Sequence, residues 1–541
     1  MIISGTCDLP AKALFMNIQQ YNGRNDCPNC EIETKRIDNH QMYPFLDRGS
    51  IRTTEKTKTY AKQAIETNTP FLGVKGFSPL SLNLPILKDI MDKRYFEHHK
   101  LLVHALTLLN FLSTDDEMIE LSRRLLFEYV KRYEVLYGKK YMVYPVAKAI
   151  RRQESTSGAT LTCGQRDTGQ LGLGEEVLEK TRFTEVSKLK DVISVAGGGM
   201  HNIILTNDSC VATFGCNDEG ELGRDITECG EATPGFVELP ARAIQVTAGD
   251  SHSAALLEDG RVDCWGAFRD SHGTLGLITR KKEDTPIEIL PNIKFLKIAS
   301  GSDHIVLLNN TGTVFTLGCA EQGQLGRVSV RKLDRHSRRG KYQLLTPEQV
   351  YFNIKKNIII RNIWAGSFYT FTKAGNSDLY VSELNNYNQI GLKGCDKTLH
   401  PKVSHTFSRH RWMQISSGQH HTVAVNDQGQ VYTIGRKEYG RLGLGSLCED
   451  AQELIPVPKL ENLKCIDVAA GTAQSFAVTN TGTLYAWGMG SEGQLGTGKE
   501  EDIYEPELIN SKHVKDAIVL QVSGGGQHTI ILVKKPHSSL I

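Results

Sequence analysis

Carboxylates and imidazoles recur beside one signature of this 541-residue sequence: Gly, two variable residues, then usually His. The signature runs Gly198–His201, Gly249–His252, Gly301–His304, Gly366–Tyr369, Gly418–His421, Gly471–Gln474 and Gly525–His528. Its variable pair supplies Asp250, Asp303, Gln419 with His420, and Gln527, and a neighbouring loop adds Asp167. Such groups could act as acid and base, but no pair has the spacing of a nucleophile with its base. Dispersed polar tips read instead as a binding face. The recurring histidines read as structural, bonded to backbone between repeats, because the same residue in most repeats cannot form a single site. Gly198, Gly249 and their equivalents then meet a backbone conformation or a close approach that only glycine permits.

Two further stretches depart from the repeat. Phe268-Arg269-Asp270-Ser271-His272-Gly273 occupies a loop where other units carry a Glu- or Gln-rich turn such as Glu219-Gly220 or Glu321-Gln322-Gly323. It reads as a bland surface loop, or as a wedge whose Phe and Arg project into a partner, an aromatic anchor beside a charge. Arg327–Lys341 holds Arg331, Arg335, Arg338 and Arg339 among its cations and is strongly basic, with Asp334 its one acid. It reads as a solvated charge run, or as a dock for phosphate or an acidic protein surface. A lone Cys27-Pro-Asn-Cys30, with Cys7 and His40, leaves a zinc site open as an alternative.

The elements that position these groups follow from a period. The signature glycines are spaced 51, 52, 65, 52, 53 and 54 residues apart, and a second signature close to Gly-Gln-Leu-Gly interleaves with them. Both occur seven times, the second at Leu171, Leu222, Leu275, Leu325, Ile390, Leu442 and Leu495. Ser253–Leu257 and Arg261–Trp265 alternate like half-buried strands, with Asp259-Gly260 as the turn between them. Four short strands per unit bury little alone, so seven units must pack around an axis as a β-propeller. The first unit opens mid-repeat at Ala159–Gly174 and the last stops mid-repeat at Gly525–Val533. The two halves should complete one blade, placing Val522–Val533 beside Ala159–Cys163 and leaving no open sheet edge.

The expected class is therefore all-β, a seven-bladed propeller over 158–536 with a tail 537–541. It follows a linker 145–157 and a small, mostly helical or irregular segment 1–144. Composition agrees: 40% of residues are hydrophobic, 23% charged, and net charge is +2. That excludes an intrinsically disordered chain and a uniformly basic nucleic-acid binder. No apolar run reaches the ~20 residues of a membrane span, no signal peptide is seen at the N-terminus, and twelve scattered cysteines read as free thiols in a reducing compartment. The N-terminal part is net basic and the propeller net acidic outside its basic run, so two unlike partners could each be steered to its own face.

At these residues the sequence resembles the regulator of chromosome condensation family, chromatin-bound guanine nucleotide exchange factors for the small GTPase Ran. Matching stretches include Thr162–Gly174 (TCGQRDTGQLGLG), Gly215–Asp225 (GCNDEGELGRD), Ala267–Gly273 (AFRDSHG), Leu317–Arg327 (LGCAEQGQLGR) and Glu438–Gly445 (EYGRLGLG). The resemblance implies a nuclear, chromatin-associated protein that supports nucleocytoplasmic transport and spindle assembly. It implies that Asp250, Asp303, His420 and His528 face the GTPase. It implies that the wedge disturbs the phosphate loop and bound magnesium, so that GDP or GTP leaves. No covalent chemistry and no cofactor of the protein's own are implied, because an exchange factor has only to bind nucleotide-free GTPase better than the loaded form. The opposite face should hold nucleosomes, with Arg335 and Arg338 the best candidates to meet the histone acidic patch. A propeller that only scaffolds protein contacts is the alternative.

The first part of the chain lies outside this pattern. Leu101–Leu112 is apolar, Ser113-Thr114-Asp115-Asp116 offers an N-cap, and Met118–Leu136 has helical spacing. Cys7–Thr34 and Leu84–Tyr144 resemble separated pieces of a transposon-derived protein, without a complete set of metal-binding carboxylates. The basic N-terminal tail of the exchange-factor family is represented only by Lys148, Arg151 and Arg152, which weakens the case for a DNA contact there. A zinc- or carboxylate-dependent nucleic-acid enzyme on this segment is a third reading.

Overall fold

A computed structural model describes residues 157–278, 281–328, 338–352, 358–394 and 397–534, with the short strands Lys35–Ile37 and His40–Met42. The chain divides into two units, Met1–Glu154 and Ser155–Ile541. In the first, the two short strands pair antiparallel. The transposase-like stretches, the expected helices, Cys7, Cys27, Cys30 and residues 145–156 lie outside the described residues, as does the tail 537–541.

The second unit is seven four-stranded antiparallel sheets. We number the blades by their inner strands: Val192–Gly197, Ala243–Ala248, Phe295–Ser300, Ile360–Gly366, Trp412–Ser417, Cys465–Ala470 and Ile518–Gly524 are blades 1 to 7. Each chain segment then steps outward strand by strand. Blade 7 is composite, as the split repeat predicts: Ile518–Gly524 and His528–Lys534 come from the end of the propeller sequence, Ala159–Gln165 and Glu179–Glu185 from its start. Ala159 faces Val533 and Cys163 faces Thr529 across that seam, so the ring closes by hydrogen bonding.

The strand reading needs one correction. His252–Leu257 and Val262–Gly266 are buried along their whole length, not on alternate residues. Each blade lies between two others, so both faces of these middle strands are covered, while the outer strands and the channel-lining inner strands keep exposed positions. Ala254, Leu256 and Cys264 of blade 2 share a core with Phe295, Ile298 and Leu307 of blade 3. The Asp259-Gly260 turn is as expected, with Gly260 at φ +85° and its N–H donating to Leu257 O at 3.0 Å.

The signature glycines are explained by close approach. A Cβ on Gly198 would stand 2.3 Å from Gly249 O, one on Gly301 2.4 Å from Gly366 O, one on Gly418 2.2 Å from Gly471 O, and one on Gly525 2.6 Å from Gly198 O. Backbone hydrogen bonds run around the same circle, including Asp250 N to Ser302 O at 2.7 Å, Ser302 N to Ser367 O at 2.9 Å and Gly526 N to Gly199 O at 3.0 Å. Seven turns are thereby tied at one mouth of the axial channel.

The signature histidines do bridge blades, but to side chains, not backbone. Nε2 of His201 meets Ser253 Oγ at 2.8 Å, that of His304 meets Thr370 Oγ1 at 3.0 Å, and that of His421 meets Ser475 Oγ at 2.8 Å. Those hydroxyls in turn donate to the carbonyls of Glu221, Gln324 and Arg441 in the second signature. Period-two alternation places the hydroxyl residue of the next blade one step along its own second strand, where it intercepts the imidazole first. The eight cysteines among the described residues are free, and no described helix is long and apolar enough to cross a membrane.

Candidate binding rim

In every blade the second strand starts, and the third ends, at the level of the glycine circle: His201 pairs with Gly215, His252 with Gly266 and His304 with Gly318. Both signatures therefore open onto one rim. Asp250 and Asp303 occupy successive turns on it, and the departing loop of blade 2 rises beside them.

That loop is a two-stranded hairpin, Phe268–Asp270 paired with Gly273–Gly276. Phe268 does not project, contrary to the anchor reading. It is fully buried, its ring 4.7 Å from that of His252, in a core with Leu275 and Leu277. A phenylalanine beneath a short hairpin gains more by leaving water than by standing in it. The exposed part is polar: Arg269, Ser271 and His272. Gly273 adopts φ +105° with open space around it, so there the backbone conformation explains the glycine.

Neighbouring blades hold the hairpin from both sides. From blade 3, Asp303 Oδ1 accepts Arg269 N–H at 2.7 Å, and Glu321 accepts Ser271 N–H at 3.0 Å and the Ser271 hydroxyl at 2.5 Å. From blade 1, Glu219 accepts the Thr274 hydroxyl at 2.5 Å and pairs with Arg269 at 3.4 Å. Asp270 Oδ1 accepts His272 N–H at 2.9 Å across the turn. Sequence reading missed Glu219 and Glu321 as clamps. Their signal is that the two turns flanking the departing loop both carry Glu, but nothing in a one-dimensional repeat places residues ~50 apart side by side.

Electrostatics at the rim follow from crowding. Asp303 is pushed up to about 7, first by burial and then by the Asp250 charge, against the Arg269 N–H that favours its ionised form. Asp250 opens to the channel, yet protein atoms crowd it, and this desolvation raises its carboxyl. His420 is half-buried in blade 5, 5.3 Å from the Tyr387 ring. Burial and the nearby Arg441 and Arg436 lower it, so it is neutral at pH 7. Asp167 is exposed on the blade 7 loop of the same rim.

The structure thus brings Asp250, Asp303 and the hairpin together and sets His420 and Asp167 elsewhere on that rim. It removes His528 from direct contact. His528 is wholly buried, its Nε2 3.0 Å from Asn202 Oδ1, in the slot that His201 fills in blade 1. It supports the Gly525 turn from below. Inside the circle lies a well of about 340 Å³ lined by Gln245, Lys297 and Gln414 among others. Asp270, His272 and Glu321 each offer a ligand-type atom within 4.8 Å of the others, but Asp270 and Glu321 already fasten the hairpin.

The basic insertion belongs to the connection between the third strand of blade 3, Val314–Gly318, and its short outer strand, Glu348–Gln349. Arg331 and Arg335 lie outside the described residues, and Arg338 and Arg339 are placed by backbone only, at the start of helix Arg338–Leu345. The connection leaves the sheet at the hairpin rim and rejoins it opposite Thr316. Topology alone therefore does not assign the insertion to the opposite end of the ring. Arg327 is taken up by its own blade, donating to Thr316 O and Thr346 O at 3.0 Å and pairing with Glu348 at 3.1 Å.

Phe268→Ala should cost about 3–5 kcal/mol, the range for emptying a buried aromatic site. Chemical denaturation measures this; a loss under 1 kcal/mol would mean the ring is not the hairpin's root.

Comparison with known proteins follows the same architecture. Residues 159–531 match the RCC1-like domain. The chain is 45% identical over 387 residues to the regulator of chromosome condensation of Xenopus laevis, covering 70% of this chain and 91% of that protein. It is 43% identical to the Homo sapiens protein of the same name, covering 72% and 94%. Among solved structures it resembles Prp20p from Saccharomyces cerevisiae, reported with its binding properties to Gsp1p and histones. That match has a TM-score of 0.63 and 26% identity, and covers 72% of this chain and 95% of that one.

Proposed function

This chain belongs to the RCC1-like domain family, and on that footing we propose that it is a guanine nucleotide exchange factor for a Ran-type GTPase, acting on chromatin in the nucleus. The observation that carries the reading is the hairpin: one blade of seven replaces its rim turn by a paired, polar-tipped projection, and both neighbours clamp it with carboxylates. A projection braced in this way loses little conformational freedom on pushing into a partner. The GTPase lies on the rim formed by Asp250, Asp303, His420 and Asp167, with Arg269, Asp270, Ser271, His272 and Gly273 at its nucleotide site. Rim contacts that are stronger with the nucleotide-free form lower the barrier to GDP or GTP release. No bond is made or broken. His528 and Phe268 contribute by holding the rim from beneath.

Release of labelled GDP from Ran tests this directly. The chain should accelerate release far above the intrinsic rate; release at that rate would leave a scaffold that binds without exchanging. Asp303→Ala removes the acceptor of Arg269 N–H and should slow exchange about tenfold or more, with an unchanged unfolding midpoint. Asp303→Asn keeps an acceptor oxygen and should retain most activity. An Asn variant as slow as the Ala variant would assign the effect to charge and not to hairpin placement.

Histones and the nucleosome acidic patch are the second partner, met by the arginines of the insertion, Arg331, Arg335, Arg338 and Arg339. Arg335→Glu combined with Arg338→Glu should weaken nucleosome binding about tenfold or more and leave GDP release unchanged. Equal loss of both activities would show that the two partners share one surface.

A further inference from the structure

We propose that the channel mouth opposite the hairpin docks an extended protein segment that carries an aliphatic or aromatic side chain flanked by carboxylates. The first observation is a bulge common to all seven inner strands. Pairing with the second strand skips one residue per blade: Ile193, Ile244, Leu296, Met413, Ile466 and Leu520 in six of them, and Arg361 in blade 4. Each lies five positions before its signature glycine, so the seven share one level, near the end of the channel away from the glycine circle. A bulge leaves a residue outside the ladder and re-aims its side chain. Met413 is 48% exposed and Ile466 39%, and Ile193, Ile244, Leu296 and Leu520 are half-buried. Met413 and Ile466 in the adjacent blades 5 and 6 are the exposed apolar part of this ring, while Ile193, Ile244 and Leu520 turn partly into the cores between blades. The apolar surface offered here is therefore centred on blades 5 and 6.

The second observation is charge. Arg242, Lys294, Arg411 and Lys464 each directly precede an inner strand, those of blades 2, 3, 5 and 6, and all four are exposed. Arg361 adds an exposed cation to the annulus itself in blade 4. Among the described residues no ion pair engages any of the five. Asp191 holds the same position in blade 1, and Glu258 and Asp427 lie beside Arg242 and Arg411, so the collar is net cationic rather than uniformly so. Around an apolar centre it complements an acidic segment with an apolar side chain at its middle. A bare polyanion satisfies the collar and leaves the centre uncovered. The proposal does not depend on nucleotide exchange, which is assigned to the other rim.

The test uses the full chain and a fluorescein-labelled glutamate-rich dodecapeptide with a central Leu-Phe pair. A second peptide replaces that pair by Ser-Ser, and duplex DNA at the same salt serves as polyanion competitor. Fluorescence anisotropy should give at least about tenfold tighter binding for the Leu-Phe peptide. Met413→Glu combined with Ile466→Glu should erase the preference while the unfolding midpoint and GDP release stay as they were. If that pair does not fold, Met413→Ser with Ile466→Ser should at least halve the preference. Equal binding of the two peptides, or displacement of both by DNA to the same extent without a Leu-Phe preference, would overturn the proposal. So would a preference that survives in folded double variants.

Discussion

Gly249→Ala will prevent the ring from closing in its native geometry and should cost more than about 4–5 kcal/mol. The added Cβ would stand 2.0 Å from His252 Cε1 and 2.5 Å from Gly301 O. Torsion is not the cause, since Gly249 has no positive φ; the obstacle is the backbone of the next blade. That backbone is not free to move. Asp250 N–H is fixed to Ser302 O at 2.7 Å, Ser302 N–H to Ser367 O at 2.9 Å, and the chain of bonds returns to Gly199 from Gly526. Any shift at one turn is passed to its neighbours. Gly273→Ala is the control: its Cβ meets open space but its φ is +105°, so it should cost about 1–2 kcal/mol. Chemical denaturation of both variants decides the matter. A Gly249→Ala chain within 1 kcal/mol of the parent would show that the glycine circle yields where the packing says it cannot.

That circle was legible because one residue recurs seven times at a nearly constant interval, and a repeated glycine without proline points to a repeated steric demand. Closure was legible from the two half-repeats, for the same reason. What escaped was decided by contacts between blades. Phe268 looked like an anchor because its neighbours Arg269 and Asp270 are polar, yet the hairpin turns its first residue inward against His252. His528 was assigned to the rim through resemblance, although its slot is that of His201, His252 and His304, all buried. The repeat alone placed it correctly. The hydroxyl partners of the histidines, and Glu219 and Glu321 beside the hairpin, come from residues ~50 positions away, a distance no local pattern reports. The basic run is visible as charge, but its position on the ring is a matter of topology.

The buried histidines make the fold sensitive to acid. Where Ser253, Thr370 and Ser475 spend their single hydroxyl proton on a carbonyl, the imidazole must be the donor, so Nε2 carries the hydrogen. Nδ1 of His201, His252, His304, His421 and His528 makes no hydrogen bond, so a second proton there would leave a buried charge with nothing to pair it. Burial holds His201 and His304 at about 3 and His528 at about 4, and takes His252 and His421 well below the ordinary value. In the unfolded chain each titrates near 6.5. Their stabilising effect is therefore complete above about pH 6.5 and is lost as pH falls toward the folded values, because only the unfolded chain takes up the protons. Asp303 and Asp467, both raised to about 7 by burial, act in the opposite sense between the ordinary carboxylate range and 7, where the folded chain holds the extra proton. Among these seven groups five outweigh two, an upper bound on the slope of about 4 kcal/mol per pH unit below pH 6, because burial also raises Asp250, Asp263 and Glu221, which act in the aspartates' sense. Against a total stability of about 5–15 kcal/mol, a slope of this size should unfold the propeller cooperatively roughly one to four units below pH 6. Blade 6 supplies the control, since Gln474 fills the same slot and donates to Gly525 O at 3.0 Å with no titrating proton. His201→Gln, His304→Gln and His421→Gln together leave two histidines against two aspartates, so they should remove nearly all of this slope and move the acid midpoint down by more than about one unit. An acid transition that ignores the three substitutions would place the sensitivity outside the histidine slots.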